Sequence, residues 1–527
     1  MGWMTEGGGE GTTQAIRGSS LLLLGRVLSI GLAFFSQILI IRYLSQNGKG
    51  DYGVFAYAMA LAVPLKTFSL FGMPDALARY LSIYREEGRY RTALGAIVLG
   101  LGFVTSAGLL LAFGLAGVAW RFGAEMMSGP HATTLIIVLA FLVPVESLDD
   151  MLTVLFANFS SPRSIFIRRY LMAPGLRLAL IVALILLDAG VVALAVGYVS
   201  VSAFGSLVYL AMFVGLVRKQ AWLPSFSFGE LDYPVREIFL FALPLLGNAV
   251  VWAVLSWADT WLLGYFGTDE QVADFRAVMP FARFNQLVFT NFVVLYMPLA
   301  SRAFARKDYG QLSAGYWRIA LWVAVVTFPI LALTVCFPRP IIETAIGSQY
   351  GDASLILLLL SVGFYVNAVL GLTGGTLSIF HKLRFLLVVD VLTAIGNVAL
   401  NIALIPRYGA EGAAVATMTS LIVHGVVRQI GLWKITPVSI VPSAWARVMV
   451  GMALALAVLL AVDAWLEPGV LLAIFATGLA SLFVVWVSRQ LLDIGGMFPE
   501  LLRVPVARRL LRPFLVDPAP VTAAERE

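Results

Sequence analysis

Charge is what this chain has least of. Asp, Glu, Lys and Arg make up 13% of its 527 residues, about half the share of an ordinary soluble domain. A chain this poor in charge cannot solubilise a globular surface of its size. Cysteine is nearly absent. Cys336 stands alone, so no disulfide forms within the chain and a cysteine-ligated metal site is not expected. The three histidines, His131, His381 and His424, are scattered, and neither HExxH nor a P-loop occurs. With no long outer loop to carry a catalytic domain, an enzyme is not expected. The net charge of +6 does not point to nucleic acid, because the basic residues fall in alternate loops and form no single patch. The opening "MGWMTEGGGEGTTQAIRGSS" is Gly-rich and acidic, unlike a signal peptide. Residues 1–18 are expected to be a disordered cytoplasmic tail.

What the chain has is apolar sequence. It is 60% hydrophobic, with a mean hydropathy of +0.90, and the apolar runs recur in blocks of about 20, the length that spans a bilayer. The fold class is an all-α polytopic membrane protein. Fourteen helical spans are expected, at 19–41, 52–72, 92–119, 133–157, 166–187, 191–217, 238–264, 271–298, 318–338, 353–379, 384–405, 410–432, 444–464 and 468–488. Span 271–298 is the most polar, with Asp274, Arg276 and Arg283.

Basic residues orient these spans. One set of loops and tails carries 26 of them, Arg163, Arg168, Arg169 and Arg428 included, and the other only five: Arg42, Lys49, Arg121, Arg339 and Arg407. The positive-inside rule places both termini in the cytoplasm.

The chain also repeats itself. Gly25 and Tyr43 recur as Gly247 and Tyr265, and Gly190 as Gly412, all at an offset of 222. Six spans separate equivalent positions, so the halves insert the same way up, and transport sites tend to lie between such halves. The expected organisation is an N-lobe (19–217), a cytoplasmic linker (218–237), a C-lobe (238–432), two further helices (444–488) and a cytoplasmic tail (489–527).

"GRVLSIGLAFFSQILIIRYLSQNGKGDYGVFAYA", "FGMPDALARYLS", "WADTWLLGYFG" and "NVALNIALIPRYGAEGAAVAT", in this order, resemble the polysaccharide-transporter branch (O-antigen-type oligosaccharide flippases) of the multidrug/oligosaccharidyl-lipid/polysaccharide exporter superfamily. The likeness covers nearly the whole chain. It implies two six-helix lobes that open alternately to each side. It also implies movement of a polyprenyl-diphosphate-linked oligosaccharide from the cytoplasmic to the outer leaflet of the cell (inner or plasma) membrane. Membrane lipids and other polysaccharide-assembly proteins are the partners it suggests.

Ionisable residues inside spans are costly and face a cavity or a partner. Arg26, Lys66, Arg276 and Arg283 are candidates to hold the diphosphate, since guanidinium matches phosphate oxygens with two parallel hydrogen bonds. The resemblance agrees, because lipid-diphosphate flippases of the superfamily use basic residues on helices 1, 2 and 8. Simpler roles compete. Arg26 could snorkel to the inner surface, Arg276 could neutralise Asp259, and Arg177 could pair with acids of the fourth span. Those acids, Glu146, Asp149 and Asp150, follow i, i+3, i+4 spacing on one helix face. They serve either as a proton relay or as partners of Arg163, Arg168, Arg169 or Arg177.

The stretch "NVALNIALIPRYGAEGAAVATMTS" places Asn397 and Asn401 one turn apart, with Thr417 and Ala413 beyond. At the 222 offset the asparagines correspond to Gly175 and Ala179, so the repeat does not require them. With Asp259 they form an oxygen-rich set that suits a monovalent cation. It looks like the sodium site of peptidoglycan-lipid flippases of the superfamily, with Asn401 where an acid is usual. A coupling ion, Na⁺ or H⁺, is therefore expected. The alternative is interhelical hydrogen bonding by the carboxamides. Asp390 belongs to a different site. Pro406, Gly409 and Gly412 should end one helix and let the next turn back tightly. A multidrug cation antiporter of the same fold is the rival function. It would favour an acidic, aromatic cavity and usually twelve helices.

Overall fold

The computed structural model describes residues 8–46, 48–126, 131–159, 162–219, 230–439 and 441–493. Among the described residues there are helices and no strands. In lipid every backbone N–H and C=O must be satisfied within its own segment, and an uninterrupted helix does so. Eleven helices are long and apolar enough to cross a membrane, and Leu28–Leu44 adds a shorter apolar one. The protein is thus a multi-pass integral membrane protein.

In the first half α1 (Gly8–Leu44), α2 (Gly50–Leu70), α3 (Met73–Glu86), α4 (Tyr90–Met126), α5 (Ala132–Ala140), α6 (Leu142–Asn158) and the short α7 (Pro162–Ile165) come first. A π-helix (Phe166–Met172) follows, and then α8 (Ala173–Leu186), α9 (Val191–Arg218), α10 (Val235–Phe266) and α11 (Asp269–Ala282). The rest comprises α12 (Phe284–Ala305), α13 (Tyr309–Cys336), α14 (Pro338–Ile346), a 3-10 turn (Ser348–Ala353), α15 (Ser354–Val369), α16 (Leu372–Ile379), α17 (Leu383–Ile435), α18 (Trp445–Leu466) and α19 (Val470–Leu492).

Every expected span falls on helix, but several are broken. The span 133–157 bends at Phe141, between α5 and α6. The span 271–298 breaks at Arg283, the residue between α11 and α12. The expected eleventh and twelfth spans meet at Gly409, whose φ of 54° and ψ of −132° interrupt α17. A Cβ on Gly412 would press on the Leu404 carbonyl, so this glycine lets the returning chain pack closely, as expected. α1 starts at Gly8, inside the stretch expected to be a disordered tail. Residues 1–7, the linker stretch 220–229 and the tail from 494 onward lie outside the described residues.

Contacts divide the chain into two compact units, Met1–Ala277 and Val278–Glu527. The core of the first joins Met73, Leu77 and Tyr84 of α3 to Ala93 and Ala96 of α4, Met151 and Phe156 of α6, Tyr209 of α9 and Ala242 of α10. By packing, α10 and the part of α11 up to Ala277 belong to this unit, although the repeat groups them with the second half. Trp261 Nε1 donates to the Ala60 carbonyl at 2.6 Å and Tyr84 Oη to Glu237 at 2.6 Å. A Cβ on Gly53 would collide with the Asp269 carbonyl, which shows how closely α2 approaches α11. The second unit centres on Tyr316, Trp317, Phe328 and Phe337, with α18 and α19 adding Trp445, Met452 and Val484. Both cores are rich in small residues, because in lipid close van der Waals packing, and not water exclusion, holds helices together. Trp465 and Leu471 are 90% and 81% exposed, as lipid-facing side chains can be.

The repeat is visible in the elements. α5 starts at Ala132 and α15 at Ser354, 222 residues apart. α9 starts at Val191, and Ala413 in the second limb of α17 stands 222 residues later.

Candidate functional site

The densest group of membrane charges lies in the first unit. A cavity of about 280 Å³ is lined by Lys66 of α2, Glu146, Asp149 and Asp150 of α6, Arg168, Arg169 and Tyr170 of the π-helix, Arg177 of α8, and Ser202 and Ser206 of α9. The i, i+3, i+4 spacing puts the three acids on one face of α6, as the sequence required. Each meets a cation. Arg168 Nη2 reaches Asp149 at 2.6 Å, Arg177 Nη2 reaches Glu146 at 3.1 Å, and Arg169 Nη1 reaches Asp150 at 3.2 Å. Lys66 Nζ bridges Asp150 at 3.0 Å and Glu146 at 3.5 Å.

The π-helix explains how consecutive arginines serve neighbouring acids. Its wider turn swings side chains away from α-helical spacing, a distortion found often at functional sites. Arg168 goes inward and also donates from Nε to the Gly205 carbonyl at 2.8 Å. Arg169 stays at the cavity edge and also donates to Thr153 at 3.1 Å.

The second unit holds a smaller, drier group. Asp390 accepts from His424 Nε2 at 2.9 Å and from Arg428 Nη2. Asn367 Nδ2 lies 3.4 Å from His424 Nδ1. Asp390 and His424 are buried. Arg428, which the sequence placed among the cytoplasmic loop residues, sits inside α17 with its side chain nearly buried. Its i, i+4 relation to His424 was the available signal. The span boundary hid it. At the 222 offset Asp390 corresponds to Arg168, His424 to Ser202 and Arg428 to Ser206.

The expected site residues are placed as follows. Lys66 is tied to Glu146 and Asp150, so it is no isolated cation for phosphate. Arg26 is half-buried on α1. Arg276 stacks on Trp257, with its guanidinium carbon 4.4 Å from the ring centroid, and is within electrostatic reach of Asp259. Arg283 lies over the ring of Phe364 at 5.6 Å, held by the α11–α12 break. Asp259, Asn397, Asn401, Thr417 and Ala413 are all buried. Asp259 lies in the first unit and the other four in the second. Asn401 Nδ2 donates to the Asn397 carbonyl at 2.9 Å and to its Oδ1 at 3.2 Å, and Thr417 Oγ1 donates to the Ala413 carbonyl at 2.9 Å. Among the described residues no group of three or more His, Cys, Asp or Glu could hold a metal.

Comparison with known proteins places this arrangement. An uncharacterized membrane protein of Methanocaldococcus jannaschii is 24% identical over 421 residues, covering 77% of this chain and 81% of that protein. A probable low-salt glycan biosynthesis flippase, Agl15 of Haloferax volcanii, is 22% identical over 226 residues, covering 42% of this chain and 48% of its own length. Among solved structures, the lipid II flippase MurJ in an inward closed conformation superposes with a TM-score of 0.67 at 16% identity, covering 89% of this chain and 99% of that one. An inward-facing multidrug-resistance MATE transporter of the MOP superfamily gives 0.61 at 14% identity, covering 77% and 93%. The fold is therefore that of the MurJ and MATE transporters. The model of the polysaccharide biosynthesis protein family matches residues 15–304, more than half of the sequence, and the chain belongs to that family.

Proposed function

We propose that this protein is a flippase that carries a polyprenyl-diphosphate-linked oligosaccharide from the cytoplasmic to the outer leaflet. The observation that carries the reading is family membership joined to a transporter fold. The glycan-flippase description of the Haloferax relative supports the substrate class. The MATE likeness also suits a drug antiporter, but the family match favours a glycan lipid. No catalytic machinery is invoked, because flipping breaks no bond. The membrane is the cell's inner or plasma membrane, and both termini face the cytoplasm, as the basic loops require.

In the first unit Arg26 and Arg276 are the proposed diphosphate contacts, with Lys66 reached only by exchange of its carboxylate partners. In the second unit Arg283 is the proposed contact. It stands at the α11–α12 break, with its guanidinium over the Phe364 ring. The coupling ion, sodium or a proton, is part of the same reading. Asn397, Asn401, Thr417 and the Ala413 carbonyl of the second unit would offer sodium a set of neutral oxygens, which fits a monovalent ion better than a divalent one. When bound, the ion would supply charge that exchanges for the hydrogen bonds these residues now make to one another, and so favour one conformation by binding it more tightly.

The test is reconstitution. Purified protein in vesicles should move a lipid-linked oligosaccharide to the opposite leaflet. Arg283→Ala should abolish movement, and Arg283→Lys should restore it in part, since lysine lacks the bidentate fork. Full activity of Arg283→Ala removes that residue from the reading. Transport of cationic drugs and of no glycan lipid would give the antiporter instead.

A further inference from the structure

We propose that the charged cavity of the first unit is a saccharide site, which takes one sugar ring of the glycan lipid. The inference rests on the flippase reading and adds a subsite to it. Its first support is the way the charge is arranged. Four cations (Lys66, Arg168, Arg169, Arg177) and three carboxylates (Glu146, Asp149, Asp150) line one space. Every carboxylate already has a cationic partner. Little net field is left to select a strongly charged ligand. What remains is an alternation of fixed donors and acceptors, with the hydroxyls of Ser29, Ser202 and Ser206 among them. A vicinal diol both donates and accepts at each oxygen, and matches such a lattice better than an ion does. Hydrogen bonds to charged groups are the strong ones.

Size gives the second support. The cavity of about 280 Å³ is far larger than one ion needs. Tyr170 adds a ring to the lining, against which the C–H face of a sugar can lie.

The third support is the repeat. At the 222 offset Lys66, Glu146, Asp149 and Asp150 correspond to Val288, Ala368, Gly371 and Leu372, and Arg169 and Arg177 to Val391 and Ala399. The fold is built in the second half without these charges. Of the cavity's charged registers, only 168/390 is charged in both halves. Its first-half member, Arg168, has a side chain 5% exposed, against 42% for Arg169 and 33% for Arg177. Arg168 is thus a structural tie, whereas the others face open space.

The experiment is saturation-transfer-difference NMR on the purified full-length protein, with free hexoses, N-acetylhexosamines and hexuronates as probes, beside titration calorimetry of the same protein with inorganic diphosphate. At least one monosaccharide should receive saturation. Its signal should weaken about tenfold in Asp150→Asn, the loss of one charge-assisted hydrogen bond. Arg169→Gln, at the cavity edge and safe for folding, should weaken it too. Calorimetric binding of diphosphate alone, lost in the same variants, would make the cavity an anion site and overturn the proposal. So would the absence of any sugar signal, or a sugar signal unchanged in both variants. Because the probes are free sugars, the outcome does not depend on transport. A protein that flips glycan lipid but binds no monosaccharide refutes this site alone, whereas one that binds sugar but flips nothing refutes the flippase reading alone.

Discussion

At register 168 the first unit sets Arg168 against Asp149; 222 residues later the second unit sets Asp390 against Arg428 and His424. The sign of the charge at this position is reversed, yet each half keeps a paired ion at the same point of its repeat. Around it the halves diverge. The first sets its pair in the lining of a polar cavity, and the second buries Asp390 and His424 in its interior. Shared features of a repeat answer the demands of the fold, and features confined to one half answer something else.

The strongest way to break this comparison is to remove one member of each pair. Arg168→Ala leaves Asp149 without its closest cation, and Asp390→Ala leaves Arg428 without its anion. Each should cost about 3–5 kcal/mol, since an uncompensated buried charge remains. Thermal unfolding in detergent reads both. A large loss in one half and none in the other would end the claim that the two pairs do one job. The double change Arg168→Met with Asp149→Leu should recover most of the stability, because apolar replacement of a whole buried pair is often neutral.

A smaller effect separates the turn at Gly409 from the turn at Gly190. Gly409 has a backbone that L-residues rarely adopt, so Gly409→Ala should cost about 1–3 kcal/mol. Gly190 has φ −66° and open space where a Cβ would stand, so Gly190→Ala should stay within about 0.5 kcal/mol. Equal stability of the two variants would show that the turns are interchangeable.

The smallest effect sharpens the contrast between Asn397 and Asn401 and their first-half counterparts Gly175 and Ala179. Asn397→Ala and Asn401→Ala should each cost only about 1 kcal/mol of stability, yet raise the sodium needed for half-maximal transport. If transport is the same in sodium and in potassium, and indifferent to a proton gradient, the asparagines are interhelical hydrogen-bond partners and hold no ion.

Much of this was legible in the residues. The spans, the 222 repeat, the shared face of Glu146, Asp149 and Asp150, and the turn at Gly409 and Gly412 follow from local rules of periodicity and backbone geometry, whereas Pro406, expected to end its helix, lies inside α17. The pairing of Arg177 with a helix-six acid was one of two readings, and the structure selected it. The ion pairs of Lys66 were not foreseen, because nothing local tells a lysine on α2 that α6 brings two carboxylates to it. Arg428 was misplaced because a basic residue near a span end looks like loop charge until its partner is seen.

The sequence by itself determined that the chain crosses the membrane many times as helices, since apolar length and the need to satisfy the backbone in lipid leave no other choice. It also determined which halves repeat. Which charges meet was decided only by tertiary structure. A π-helix at Phe166–Met172 turns Arg168 inward and leaves Arg169 at the cavity edge, and a break at Arg283 sets that guanidinium over Phe364. Ion pairing acts over a few ångströms between segments far apart in the chain, so no local pattern can record it.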